Sequence, residues 1–395
     1  MYKGHKKIGM RKNFNQYIEK IEESKSISLM QKAAQFQAEG KEIINLTGGE
    51  PDFDTPAVIV EAAVHALRNG DTHYLVGRGL LELREKIAEH EKTANGIQCT
   101  AEHVIMVPGG KFGVYMSVAS VINPGEEVII LAPMWVSYAP IVKACGGIPV
   151  ICQLDESDDY QIKRESLEAC ISERTKMLII NYPNNPTGQI LSEKESEVLL
   201  EIVKRHQIYL LSDEIYNRII FDRKKSVSMA SYNEIFDRVI TINGFSKSVA
   251  MTGWRIGYVI ADKEITDIMF KLYAHSITGL SPFVQRAALR AFECDDEIEK
   301  MRLKYEERRN YFVHELNKIE HISCRIPKGA FYVWVKIELP DMKKGIEEEI
   351  LDRTGILGVP GNAYGISDEN YIRFSFASDI EVLKHAIQKL QGLKI

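Results

Sequence analysis

Six short apolar runs alternate with amphipathic stretches between about residues 100 and 262. Each run is four to six residues long and rich in isoleucine, valine and leucine, which is typical of strands that are covered on both faces. This alternation predicts an α/β fold with a mostly parallel central sheet. The runs are VIMV (104–107), EVIILA (127–132), KMLIIN (176–181), IYLLSD (208–213), RVITIN (238–243) and RIGYVI (255–260).

One helix between these runs has a clear start signal. Ser192 precedes an amphipathic stretch, and Glu195 follows three residues later, which is the spacing of a capping box. The pattern therefore predicts a helix that begins after Ser192.

The last hundred residues have a different pattern, which predicts a smaller α+β domain beside the large one. A long charged helix is followed by short strands and a final amphipathic helix, at 295–319, 331–337, 371–377 and 381–390. We expect an N-terminal arm and part of the small domain in residues 1–60, the large domain in 61–285 and the rest of the small domain in 286–395.

Composition and charge exclude several classes of protein. The chain has 395 residues, of which 45% are hydrophobic and 27% charged, as in ordinary globular proteins. The chain has 50 Lys and Arg residues and 55 Asp and Glu residues, so the basic surface of a nucleic-acid binder is not expected. The apolar runs fall far short of the ~20 residues that span a bilayer, and no membrane association is expected.

The cysteines and the N-terminus favour a cytoplasmic protein. The six cysteines include no C-x-x-C pair and the ten histidines form no HExxH motif, so we expect reduced thiols and no metal site. The basic residues 1–13 have no apolar block behind them and are interpreted as an arm rather than a secretory signal.

Unusual side chains follow five of the predicted strands, at the edge where open α/β sheets bind ligands. Taken singly, each has an ordinary structural explanation: a tight turn, a core tryptophan, a loop amide, a helix cap and a solvated lysine. In chain order they are Gly109-Gly110-Lys111, Trp135, Asn185, Asp213 and Lys247.

Together these groups match the needs of pyridoxal 5'-phosphate. A lysine amine can form a Schiff base with the aldehyde, and a carboxylate can keep the pyridine nitrogen protonated. Glycines at a helix start suit a phosphate, which Ser246 and Arg255 can also hold. An aromatic plane can stack on the ring, while an amide and a tyrosine can bond its phenolic oxygen.

Motifs over nearly the whole chain closely resemble those of the fold-type I pyridoxal-phosphate enzymes, specifically the class I/II aminotransferases of the bacterial aspartate aminotransferase type. They are LTGGEPDFDTP (46–56), HYLVGRGLLELR (73–84), VPGGK (107–111), PMWVSY (133–138), NYPNNPTG (181–188), SDEIY (212–216), GFSKSVAMTGWRIGY (244–258), KGAFYVW (328–334), VPGNAYG (359–365) and YIRFSFA (371–377).

The resemblance implies a role for each matching residue. Lys247 and Asp213 are the implied catalytic pair: Lys247 bonds the cofactor and moves a proton, and Asp213 pairs with the pyridinium. The other implied cofactor contacts are Asn185 and Tyr216 at the phenolic oxygen, Trp135 on the ring, and Ser246, Arg255 and the backbone of Gly109, Gly110 and Lys111 at the phosphate.

Further implied contacts concern the substrate and a second subunit. Arg373 would bind the substrate α-carboxylate, with the Gly49 backbone, Trp135 and Asn185 nearby. Tyr74 would reach the phosphate of the neighbouring subunit, which makes a homodimer with a shared active site the expected assembly.

The resemblance favours acidic substrates, because Lys111 matches a lysine that contacts the distal carboxylate in relatives acting on aspartate or glutamate. The expected acceptor is a 2-oxo acid such as 2-oxoglutarate. Phe112 and Gly279-Leu280 depart from those relatives and could instead admit aromatic or aliphatic side chains. Arg78 is a further departure, either an extra cation for a dicarboxylate or a solvated charge.

Three other functions are compatible with parts of the sequence. A C-S lyase or a cyclising enzyme on the same fold differs too little in sequence to be separated from a transaminase. A nicotinamide dehydrogenase is disfavoured because no predicted strand is followed by G-x-G-x-x-G. A regulator with an added DNA-binding domain is disfavoured because only some 40 residues precede the first motif.

Overall fold

The computed structural model describes residues 14–19, 21 and 25–393, so the arm predicted over residues 1–13 lies outside the described residues. The strands are β1 (Ile44–Asn45), β2 (Val104–Val107), β3 (Glu127–Ala132), β4 (Ile148–Gln153), β5 (Thr175–Asn181), β6 (Tyr209–Asp213), β7 (Val239–Gly244), β8 (Gly257–Ile260), β9 (Ile322–Cys324), β10 (Tyr332–Ile337), β11 (Ile356–Leu357), β12 (Val359–Pro360) and β13 (Tyr371–Ser375).

Helices lie before β1, after β13 and in most of the intervals between strands. They are α1 (Lys25–Ala38), α2 (Ala57–Arg68), α3 (Leu81–Asn95), α4 (Gly110–Val121), α5 (Tyr138–Ala144), α6 (Arg164–Glu168), α7 (Glu193–His206), α8 (Lys263–Ser276), α9 (Pro282–Leu289), α10 (Asp295–Leu316), α11 (Ile346–Thr354) and α12 (Ile380–Gln391).

The larger sheet has seven strands in the order β2-β8-β7-β6-β5-β3-β4. All its pairs are parallel except those of β8, which lies antiparallel to β2 and β7. The six predicted runs all form strands of this sheet, and the prediction of a mostly parallel sheet is confirmed. The sheet also contains β4, an edge strand that the apolar pattern did not identify.

Alternate residues of these strands face two separate apolar layers. In β2, Val104 and Met106 pack into one layer while Ile105 and Val107 pack into the other, and all four are fully buried. Side chains of a strand alternate between faces, so continuous apolar runs are what a sheet covered on both sides requires. Polar groups of this sheet are therefore concentrated at its strand ends.

The predicted start of α7 is confirmed in detail. The Ser192 hydroxyl accepts a hydrogen bond from the Glu195 backbone N–H at 3.3 Å, and the Ser192 N–H donates to Glu195 Oε2 at 3.1 Å. These reciprocal bonds satisfy backbone donors that a helix start otherwise leaves unpaired.

The smaller sheet is antiparallel and has the order β12-β13-β10-β9. Its two inner strands are those predicted at 331–337 and 371–377, and the flanking helices α10 and α12 were predicted as well. A separate parallel pair joins β1 to β11, so the chain before α2 lies against the C-terminal part.

Several features are absent from the described part of the chain. No helix there is long and apolar enough to cross a membrane. No three His, Cys, Asp or Glu side chains are grouped there as a metal ion would require. The six cysteines are all free thiols.

Candidate active site

A cavity of about 330 Å³ lies at the carboxyl ends of β5, β6 and β7, beside the start of α4. Eleven of the thirteen residues predicted to form the site line it. They are Gly49, Gly110, Lys111, Trp135, Asn185, Asp213, Tyr216, Ser246, Lys247, Arg255 and Arg373.

The two remaining predicted residues, Gly109 and Tyr74, do not line the cavity. Gly109 precedes α4 with φ +83°, a conformation that favours glycine, and a Cβ there would lie 2.5 Å from Arg255 Nη2, so a larger residue would strain the backbone and displace the Arg255 side chain. Tyr74 is 87% exposed and borders a separate depression with Gly279 and Leu280. Its predicted contact is with a second subunit and stays a prediction.

Asp213 is buried at the end of β6. Its Oδ2 accepts a hydrogen bond from the Tyr138 hydroxyl at 2.7 Å, and its Oδ1 accepts one from the Ile215 backbone N–H at 3.2 Å. Burial raises the pKa of Asp213 to about 6, against the lowering effect of the Tyr138 hydrogen bond. At neutral pH the group is mostly a carboxylate, which favours a cationic partner in the cavity.

Lys247 follows β7, and its Nζ donates a hydrogen bond to the Gly49 carbonyl at 2.6 Å. Burial is the main cause that lowers the pKa of Lys247 to about 8. The carboxylates of Glu50 and Asp213 oppose this shift, while the cations of Arg255 and Arg373 add to it. A substantial fraction of the amine is therefore neutral near pH 8, the form that attacks a carbonyl carbon.

The turn after β5 fixes Asn185 through side-chain hydrogen bonds. The Asn185 backbone N–H donates to Asn181 Oδ1 at 2.9 Å, and Asn181 Nδ2 donates to the Asp213 carbonyl at 2.9 Å. The Thr187 backbone N–H and hydroxyl both donate to Asn184 Oδ1. Because the turn is bonded to β6 and to itself, the Asn185 amide has a fixed direction in the cavity.

Arg373 is buried on β13 and reaches the same amide. Its Nη1 donates to Asn185 Oδ1 at 3.1 Å and its Nη2 donates to the Thr47 carbonyl at 2.6 Å. Its buried Nε has no hydrogen-bond partner, and no carboxylate of the described residues pairs with this guanidinium. A buried, positioned cation without an anion is suited to bind a ligand carboxylate.

The opposite part of the cavity combines a helix start with cations. Gly110 begins α4, and Ser246 is buried nearby. Arg255 is held by the Thr252 carbonyl at 2.7 Å and has φ +56°, a left-handed conformation. Backbone N–H groups at a helix start together with a guanidinium form an anion site that suits a phosphate.

Lys111 and Trp135 lie together at the edge of the cavity. The Lys111 Nζ is 5.0 Å from the centre of the Trp135 ring, which itself packs edge-on against Tyr138. Burial of the ammonium group lowers the pKa of Lys111, and the nearby Arg255 cation lowers it further. Lys111 thus supplies a positive group next to an aromatic wall.

Seven residues of the cavity wall were not predicted from the sequence, which are Thr47, Val136, Ser137, Tyr138, Asn181, Ile215 and Tyr332. All seven lie inside motifs that were recognised, so their presence near the site could have been inferred. The hydrogen-bond partner can lie on a distant segment, however, as for Tyr138 and Asp213, which are 75 positions apart. Sequence spacing alone carries no signal for such pairs.

The structure corrects the interpretation of Arg78 as a solvated charge. Its side chain is only 16% exposed and forms an ion pair with Asp267. Its Nη1 also donates to the Glu102 carbonyl at 2.8 Å and to the Thr266 hydroxyl at 3.1 Å. Arg78 lies outside the cavity of its own chain and joins the start of β2 to α8.

Known proteins with the same pattern were found by sequence and by structure. The family model described as aminotransferase class I and II matches residues 41–390. The aspartate aminotransferase of Musicola paradisiaca is 35% identical over 377 residues, covering 94% of each chain. The aromatic-amino-acid aminotransferase 2 of Thermococcus litoralis is 39% identical over 354 residues, covering 88% of this chain and 91% of that relative.

A solved structure agrees in architecture over the full length. The aspartate aminotransferase from Thermus thermophilus with maleate has a TM-score of 0.92 and 32% identity, covering 97% of this chain and 100% of that one. These matches confirm the predicted fold class, cofactor and reaction type. The chain belongs to the class I and II aminotransferases and is a pyridoxal-phosphate-dependent transaminase of fold type I.

Proposed function

We propose that this transaminase prefers acidic amino acids, aspartate or glutamate, and passes the amino group to a 2-oxo acid such as 2-oxoglutarate. The observation that carries this proposal is the pair of cations Arg373 and Lys111, which line one cavity. A dicarboxylic amino acid has an α-carboxylate and a distal carboxylate, so two cations can bind both of its ends.

The donor set of the cavity fits pyridoxal 5'-phosphate at both of its charged ends. Asp213 would face the ring nitrogen, Trp135 would cover the ring, and Asn185 and Tyr216 would face the phenolic oxygen. The phosphate would be held by Ser246, Arg255 and the backbone of Gly109, Gly110 and Lys111. When bound, the cofactor supplies an aldehyde and a ring that accepts electrons from the substrate α-carbon.

Lys247 and Asp213 divide the proton chemistry between them. With the cofactor bound, Lys247 would be the amine that holds its aldehyde carbon, and the same amine would be placed to accept a proton from the substrate α-carbon and to donate it to the product. The Asp213 carboxylate would hold a proton on the ring nitrogen of the cofactor, and the Tyr138 hydroxyl keeps that carboxylate in place. Burial of both groups limits competing bonds to water.

Arg373 and Lys111 set the orientation of the substrate. The Arg373 fork binds the α-carboxylate, supported by Asn185 and by the backbone near Gly49. Lys111 then forms an ion pair with the distal carboxylate of an acidic substrate. A substrate without a distal carboxylate offers Lys111 no such ion pair. Several relatives are named aspartate aminotransferases, and the solved relative with maleate holds a dicarboxylate, which supports this preference.

A second candidate is an aromatic substrate range. An apolar depression of about 410 Å³, lined among others by Phe112, Tyr115 and Ile141, adjoins Lys111. The relative from Thermococcus litoralis is named for aromatic amino acids. The C-S lyase alternative has less support, because relatives such as those from Musicola paradisiaca and Thermococcus litoralis are named for transamination.

The substrate proposal is tested by Lys111→Gln, with Lys271→Gln on the exposed side of α8 as the matched control. We expect kcat/KM for aspartate and glutamate to fall about 10- to 100-fold, since a charge-assisted hydrogen bond is lost, while alanine and phenylalanine change little. The measurement is a panel of amino acids against 2-oxoglutarate. Equal losses on all four amino acids would remove Lys111 from substrate selection.

We also propose that the protein is a homodimer in the cytoplasm. We further propose that residues 1–60 form an N-terminal arm and part of the small domain, residues 61–285 the large domain, and residues 286–395 the rest of the small domain. The pairing of β1 with β11 supports grouping the first segment with the last. The six free thiols support a reducing compartment. The exposed Tyr74 and Val76 side chains, 87% and 85% accessible, support a partner surface at the predicted subunit contact.

A further inference from the structure

The hydroxyl groups of Tyr216 and Tyr332 lie 2.9 Å apart in a hydrogen bond, and both side chains are buried. Tyr216 follows β6 of the larger sheet and Tyr332 begins β10 of the smaller one. Their rings meet edge to face. The pair is therefore a direct polar link between the two sheets, and it lies in the wall of the cavity.

Tyr332 also supports Arg373. The guanidinium carbon of Arg373 is 4.2 Å from the centre of the Tyr332 ring, close enough for a cation–π contact. In the smaller sheet, Arg373 on β13 pairs with Trp334 on β10, two residues from Tyr332 on the same face of that strand. The ring thus covers one side of a guanidinium whose Nη1 and Nη2 are bonded to Asn185 and Thr47.

The surrounding charges indicate which tyrosine donates. The charged groups that face the pair are Arg373 from β13, beside Tyr332, and Asp213 from the end of β6, nearer Tyr216. Burial raises the pKa of both phenols and Arg373 opposes that rise for both, but the Tyr216–Tyr332 hydrogen bond lowers the pKa of Tyr332 and raises that of Tyr216, and Asp213 adds to the rise only for Tyr216. Tyr332 is thus the better donor, and its bond leaves the Tyr216 proton free to point into the cavity.

We propose that Tyr332 is a positioning residue with two separable parts. Its hydroxyl orients Tyr216 to donate toward the phenolic oxygen of the cofactor, and its ring holds Arg373 for the substrate carboxylate. The inference rests on the proposed function, in which Tyr216 and Arg373 make those two contacts.

The hydroxyl is tested by Tyr332→Phe in the holoenzyme, with Tyr305→Phe as a control for loss of a buried phenol hydroxyl elsewhere. Without the Tyr332 hydroxyl, Tyr216 donates a weaker hydrogen bond to the phenolic oxygen of the cofactor, and the anionic form of that oxygen is less stable. The proton that this oxygen shares is therefore held more tightly. We expect the pH midpoint of the cofactor's visible absorption band to rise by about 0.5 to 1 unit. We expect kcat to fall about fivefold and KM for the amino acid to change less than twofold.

A double variant separates the hydrogen bond from general damage to the cavity. In a Tyr216→Phe background, the added Tyr332→Phe change is expected to leave the pH midpoint where Tyr216→Phe alone puts it, because the bond is already gone. Additive shifts from the two changes would overturn the proposed action through Tyr216.

The ring is tested by Tyr332→Leu, compared with Tyr332→Phe, which keeps the ring. Loss of the contact with Arg373 is expected to raise KM for the amino acid about three- to tenfold in the leucine variant only. The melting temperature of each cofactor-free protein reports whether the fold is retained. An equal KM for the two variants, both folded, would overturn the role of the ring.

The outcomes distinguish this inference from the proposed function on which it rests. If the Lys247→Ala protein shows the same visible absorption band as the wild-type holoenzyme, the proposed site itself is wrong. If Lys247→Ala abolishes the band but Tyr332→Phe titrates like wild type and like Tyr305→Phe, only the role of the Tyr332 hydroxyl is wrong.

Discussion

Two neighbouring acids in the chain occupy opposite environments. Asp213 faces the cavity, whereas Glu214 is bonded to the hydroxyls of Ser212 and Ser228, each at 2.9 Å, and burial raises its pKa to about 8. Side chains alternate between the two faces of a strand, so Asp213 and Glu214 are predicted to point in opposite directions. Ligands bind at the carboxyl ends of the strands, which predicts that Asp213, at the end of β6, belongs to the site. The hydrogen bond from Tyr138 to Asp213 could not be predicted, because the two residues are 75 positions apart in the sequence.

The shifted pKa of Lys247 predicts how the cofactor-free protein takes up pyridoxal phosphate. Only the neutral amine reacts, so the rate of uptake should increase as the pH rises, with a midpoint near the lysine pKa of about 8. The measurement is the growth of visible absorbance after mixing, with Lys247→Ala as the unreactive control. A midpoint near the ordinary lysine pKa of about 10.4 would show that burial, Arg255 and Arg373 do not lower the pKa of Lys247.

At the scale of elements, apolar runs predicted six of the seven strands of the larger sheet, including the edge strand β2, but not the other edge strand, β4. Ile148–Gln153 has exposed ends and contains Pro149, so its sequence lacks the continuous apolar run by which the other strands were identified. The turn after β5 was predicted from its prolines and glycine. Its attachment to the segment before β10, through bonds from the Lys328 and Gly329 N–H groups to the Gly188 carbonyl, required the structure.

That attachment makes Gly188→Ala a sharp test of the turn. Gly188 has φ +69°, and an added Cβ would lie 2.3 Å from Pro327 Cβ, so the backbone must shift. We expect a loss of about 2 kcal/mol or more in the free energy of unfolding, measured in urea, together with a higher KM because Asn185 no longer fixes Arg373. Gly253→Ala, which meets no atom within 4 Å, is the control; equal stability of the two variants would contradict the account of the turn.

At the scale of the whole molecule, the cavity is assembled from three distant parts of the chain. Thr47 and Gly49 come from the N-terminal part, Asp213 and Lys247 from the larger sheet, and Arg373 from the smaller one. The sequence predicted most members of this set because each lies in a recognisable motif. It could not predict the bonds between the parts, such as Arg373 to the Thr47 carbonyl, which depend on how the sheets meet.

A shared active site in a homodimer predicts complementation between two defective chains. A hybrid of Tyr74→Phe and Lys247→Ala chains has one site in which both residues are intact, because Tyr74 is supplied by the other chain. After random exchange of subunits, about one quarter of all sites are intact, and activity should exceed the mean of the separate parents. Activity no higher than that mean would contradict a site completed by Tyr74 of a partner.

The side chain of Lys247 is expected to form the covalent bond to the cofactor, and chemical reduction of the holoenzyme is a direct test of that bond. Borohydride treatment fixes the cofactor to the amine that holds it, and peptide mass mapping then locates the modified residue. We expect one modified peptide, which contains Lys247. Modification at Lys111 or at any other lysine instead, or no modification in a protein that binds the cofactor, would contradict it.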